Sequence, residues 1–104
     1  MIITTSDSIV GKEIVETIGL VRGSTVRARN IARDIFAGLK NIVGGEISEY
    51  TKLLADAREQ SIQRMIDDAK SLGADAIVEL RFTTSAVMSG CSEILAYGTA
   101  VKIK

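Results

Sequence analysis

The sequence predicts a small α+β domain, and three observations carry that reading. Two stretches, 13–22 and 75–88, alternate in the period-two manner of strands. A third, 92–103, is strand-like but apolar or small on both sides as far as Lys102. Between the first strand and the second lie two segments of helical period, 30–43 and 48–72, closed by Gly44-Gly45 and Gly73. The order is therefore β-α-α-β-β, in a single domain spanning residues 1–104, a length suited to one core.

Taken in order, Met1–Thr4 can add a short extra strand. In 13–22, Ile14, Glu16, Ile18 and Leu20 point one way and Val15, Thr17, Gly19 and Val21 the other. The strand can continue through Val26 towards Arg29 after a kink at Gly23. Asn30 is placed to cap the first helix, whose stripe is Ile31, Ile35, Leu39 and Ile42. Ser48 can cap the second helix. Tyr50, Leu54, Ala57, Ser61, Met65, Ala69 and Leu72 form its inner face, and Lys52, Asp56, Glu59, Gln63, Asp67 and Lys70 its outer one. Such a helix is about 35 Å long, enough to cross a sheet diagonally. Ala76, Val78, Leu80 and Phe82 share one side of the next strand, opposite Glu79, Arg81 and Thr83. Ser89-Gly90 supplies the hairpin turn.

A right-handed crossover followed by a hairpin puts the last strand between the first and the third, antiparallel to both. A strand apolar on both sides is normally covered on both sides. The long helix covers one face, and the four-turn helix 30–43 covers only part of the other. The remaining apolar surface predicts a second subunit. The competing arrangement folds helix 30–43 back to complete a monomeric core.

Composition removes several function classes. Thirteen basic residues balance thirteen acidic ones, and no aromatics interleave with them, so nucleic-acid binding is not expected. No uncharged apolar run approaches the ~18 residues of a membrane span. A single Cys calls for no oxidising compartment, and the expected location is the cytoplasm. With no His, general acid–base chemistry lacks its usual agent, and no enzyme is expected. Asp67-Asp68 sit on a solvated helix face, and Glu16 and Glu79 could approach across strands without forming a recognisable catalytic pair.

Two candidate sites remain. Arg27, Arg29 and Arg33, with Arg22 and Lys40 nearby, form a basic strip leading into a helix N-terminus, where a small anionic ligand could bind. The alternative use of the strip is ion pairing with the acidic helix of a neighbouring subunit, since 46–79 carries eight acids against four bases. Met88 and Cys91 place a thioether and a thiolate, ligands for a soft metal ion, across the predicted turn. The alternative there is ordinary packing, since a free Cys behaves as a small hydrophobe. No cofactor is indicated.

Arg33-Asp34 with Phe36-Ala37-Gly38, Val43-Gly44-Gly45, Gly73-Ala74-Asp75-Ala76 and Gly98-Thr99-Ala100-Val101 resemble the YbjQ-like family over essentially the whole chain. Position 35 is Ile where that family's pattern has an aromatic. The resemblance implies a two-layer dodecin-like subunit, a small antiparallel sheet packed on helices, assembled as a homo-oligomeric ring, a pentamer. It carries a heavy-metal-binding label and no settled activity. The functional expectation is a non-enzymatic assembly that binds a small ligand or partner at subunit interfaces; the alternative is soft heavy-metal binding through Cys91 and Met88.

Overall fold

A 24-residue helix lies across a four-stranded mixed sheet. The computed structural model describes the backbone of residues 1–28, 48–88 and 91–104; the side chains of 27, 28, 48–51, 53, 87, 88 and 91 fall outside that description. The elements are β1 (Ile2–Ile3), β2 (Ile14–Ala28), α1 (Ser48–Ser71), β3 (Ala76–Met88) and β4 (Cys91–Ile103). Helix 30–43, with its cap, stripe and Gly44-Gly45 stop, lies outside the described residues, as does the Ser89-Gly90 turn.

The sheet order is β1-β3-β4-β2, so β4 is central and antiparallel to both long neighbours, as the crossover-plus-hairpin argument requires. One correction concerns β1, which pairs parallel with β3 and makes the sheet mixed instead of antiparallel. The N-terminal chain reaches that edge directly, so its direction is not set by a hairpin.

Helix α1 packs through Ala57, Ser61, Met65 and Ala69, which recur every four residues and are all fully buried. Lys52, Asp56, Glu59, Gln63, Asp67 and Lys70 face solvent as expected. Leu72 does not belong to the buried stripe; it is exposed, just past the last helical residue. Gly73 ends the helix at a φ of 78°, where a side chain would be strained. The Gly73 and Ala74 N–H groups donate to the carbonyls of Lys70 and Ala69.

Gly23 is no kink. Strand β2 runs through it in unbroken register, and a methyl there would overlap the backbone of Ser61 and Met65. The glycine permits close approach of helix to strand. On either side, Asp68 accepts from the Arg22 backbone N–H at 3.2 Å, and the Arg64 guanidinium donates to the Ser24 carbonyl. Two helical side chains four apart thereby satisfy backbone groups of the edge strand beside the crossing.

A buried hydroxyl cluster fixes the same contact. Ser61 Oγ lies 2.9 Å from Thr25 Oγ1 and 3.0 Å from the carbonyl oxygens of Ala57 and Ile94. It ties α1 to β2 and β4 at one point. The helix-side core around it is Val21, Met65, Ala69, Ile77, Ala96 and Ala100.

Register shifts redraw the faces read from the sequence. In β2 they fall between Ile14 and Glu16 and between Thr17 and Gly19. Ile14 therefore packs with Ala76, Val78 and Val101 on the far side, whereas Ile18 joins the helix-side core and Leu20 is exposed. In β3 a bulge between Val78 and Arg81 splits the expected row: Val78 belongs to the far cluster and Leu80 to the helix side. Strict alternation fails because each extra residue reverses the parity of all that follow.

Candidate functional site

The bulge in β3 shapes a concavity that forms a candidate site among the described residues. Glu79 adopts a φ of 56°, the left-handed region, which costs a non-glycine residue roughly 1–2 kcal/mol. Its N–H turns outward to the Ser6 carbonyl, and the Leu80 N–H reaches the Thr4 carbonyl, both at 3.0 Å. The N-terminal segment is thereby strapped along the β3 edge. Opposite the bulge stands Gly98, where a Cβ would come within 2.7 Å of Ile77 Cγ2 and 3.1 Å of the Val78 carbonyl oxygen. Only glycine leaves room for β3 to bend in there.

The result is a hollow of about 330 Å³ on the face away from α1, lined by Leu20, Glu79, Arg81, Tyr97, Gly98 and Thr99. Arg81 is held in place: its Nη1 donates to the Thr5 carbonyl at 2.9 Å and to the Leu80 carbonyl at 2.8 Å. Tyr97 stands in register between Arg81 of β3 and Arg22 of β2, and Thr99 stands opposite Leu20. The lining offers a carboxylate, a guanidinium, two hydroxyls and an apolar flank. It can hold a small polar molecule, and it contains no thiol or imidazole to attack one.

The sequence-derived sites are placed as follows. Of the basic strip, Arg29 and Arg33 lie outside the described residues, as do Asp34 and Lys40. Arg27 is described by its backbone alone, opposite Ser92 of β4. Arg22 is exposed, opposite Tyr97. Met88 and Cys91 are cross-strand partners at the end of the hairpin. Among the described residues, no three His, Cys, Asp or Glu side chains cluster in a way that could hold a metal ion.

The carboxylates noted in the sequence separate. Strand β4 lies between Glu16 and Glu79, and Glu16 instead faces Lys102, with Nζ 3.8 Å from Oε2. Asp67 accepts from Gln63 Nε2 at 3.0 Å, whereas Asp68 turns to β2. Sequence reading missed the Glu79–Arg81–Tyr97–Thr99 grouping because it needs the bulge and the β3–β4 register together. The available signal was one charged residue within an apolar run, Val78-Glu79-Leu80, facing Gly98 across a predicted hairpin.

Among the described residues, no helix is long and apolar enough to cross a membrane. A family model described as "Putative heavy-metal-binding" matches residues 1–104. A UPF0145 protein of Methanosarcina acetivorans is 58% identical over 103 residues, covering 99% of this chain and 97% of its own. Another, from Photobacterium profundum, is 61% identical over 101 residues, covering 97% of each. These names assign no activity. Among solved structures, a protein of unknown function of the DUF74 family from Pediococcus pentosaceus superposes with a TM-score of 0.66 at 18% identity, over 100% of this chain and 98% of the other. That likeness establishes the helix-on-mixed-sheet fold. Matched along its whole length by the family model, the chain belongs to the YbjQ-like family of UPF0145 proteins.

Proposed function

We propose that this protein is a non-enzymatic homo-oligomer of the cytoplasm that binds a small ligand or partner at the surfaces its copies share. The carrying observation is the sheet face away from α1, where Leu20 is 63% and Val26 53% exposed beside the half-buried Leu95 and Tyr97. A lone molecule gains nothing by keeping those side chains in water.

Both ends of the sheet support self-association. Among the described residues no strand pairs with the outer side of β2, nor with the outer side of β3 beyond the strap. An edge with no strand partner at each side, on β2 outside the Arg22–Ser24 stretch that α1 caps, suits head-to-tail joining, which closes into a ring when the rotation permits. The dodecin-like ring of five implied by the family resemblance is the specific form proposed. Light scattering tests it: a mass close to five times 11.1 kDa is expected. Leu20→Lys should shift that mass towards the single chain with helical circular dichroism retained. A dispersed wild-type monomer at micromolar concentration overturns the proposal.

The family's description supports a second reading, soft-metal binding through Cys91 and Met88, which stand opposite each other at the hairpin end. The first reading expects Cys91→Ser to take up Cu(I) as the wild type does. A stoichiometric loss of bound copper in that variant would replace it with the second.

A further inference from the structure

We propose that the hollow at the Glu79 bulge binds a short zwitterion of the α-amino acid class with an apolar side chain; this deepens, and rests on, the ligand-binding part of the reading above. Glu79 occupies a backbone conformation that glycine or asparagine would take with less strain. The backbone work of the bulge, two N–H groups donated to the N-terminal strap, needs no carboxylate. A charged side chain kept at a strained position in a hollow points to recognition.

The charge arrangement names the ligand class. Glu79 and Arg81 line the same hollow, yet they do not pair with each other; the ion pair seen among the described residues is Lys102 with Glu16. Arg81 is anchored through one nitrogen to two carbonyls, which presents the rest of its guanidinium without further ordering. The two lie one residue apart around the bulge and line the same hollow with opposite charges. An ammonium and a carboxylate on one carbon match that pair, ammonium to Glu79 and carboxylate to Arg81. The hydroxyls of Tyr97 and Thr99 complete the polar contacts, and Leu20 meets the side chain. A hollow of about 330 Å³ is at the small end of ligand sites, which suits one amino acid. A polyphosphate would meet the Glu79 carboxylate, and a metal ion would find one carboxylate where it needs several.

Titration calorimetry with L-leucine as the probe tests the assignment, with light scattering on the same sample. Saturable binding is expected, at least tenfold tighter than for isoamylamine or 4-methylpentanoate, each of which lacks one of the two charges. Glu79→Gly and Glu79→Asn should each raise the thermal midpoint and abolish binding; Arg81→Lys should weaken it at least tenfold. No heat with L-leucine, equal binding of the half-charged analogues, or leucine binding retained in both Glu79 variants would overturn the proposal. A monomeric mass with leucine still bound would remove the assembly and leave the site standing.

Discussion

The two faces of the sheet are built to different rules. Under α1 the strands present Val21, Gly23, Thr25, Ile94, Ala96 and Ala100, small or closely fitted groups that lie fully or almost fully buried. On the other face Ala76, Val78 and Val101 form a small buried cluster with Ile9, Ile14 and Ile103, but beyond it the strands carry Leu20, Arg22, Val26, Tyr97 and Thr99, which remain half-buried or exposed. Small residues on the covered side let the helix backbone rest on the strand, where close contact contributes most per atom. Large groups on the open side are uneconomical for a solitary chain and useful for contact with something else. Burial is thus continuous beneath α1 and broken on the other side of β4, where the bulge at Glu79 opens the hollow.

This contrast can be broken most severely at Gly23. Gly23→Ala forces a methyl into the backbone of Ser61 and Met65, and neither can yield as a flexible side chain would. A loss of at least about 3 kcal/mol is expected by denaturant unfolding, near or beyond the upper range for overpacking. Tolerance of the alanine would mean that helix and strand are not locked together there.

Next comes the hydroxyl cluster. Ser61→Ala leaves the buried Thr25 hydroxyl without its partner and should destabilise by roughly 1–3 kcal/mol. A double-mutant cycle with Thr25→Val sharpens the comparison, because the pair of substitutions should be less harmful than the sum of the two alone. Strict additivity would show that the two hydroxyls act separately.

The smallest effect on folding belongs to the open face. Leu20→Lys should change the stability of the single chain by no more than about 0.5 kcal/mol, the usual range for an exposed position, while altering assembly mass. A large loss of single-chain stability from Leu20→Lys would erase the distinction between the faces.

Much of the architecture was legible in the chain. The four-residue recurrence of Ala57, Ser61, Met65 and Ala69 announced the buried side of the helix, and Gly73 its end. The apolar character of 92–103 announced a central strand. Side-chain facing in β2 and β3 was not legible. Ile14, Ile18 and Leu20 look equivalent in a period-two pattern, yet two register shifts send them to three different environments. The candidate site was hidden for the same reason, since Glu79 and Arg81 read as ordinary outward charges until the bulge is in place.

Local sequence determined which segments are helical or extended, because hydrophobic periodicity and glycine stops act over a few residues. Only the tertiary structure decided where the bulges fall, which residue meets the helix backbone, and that β1 runs parallel at the edge. Those outcomes depend on contacts between segments tens of residues apart, Gly23 with Ser61, Gly98 with Ile77, and Ser6 with Glu79, and no local pattern encodes a distance across the sheet.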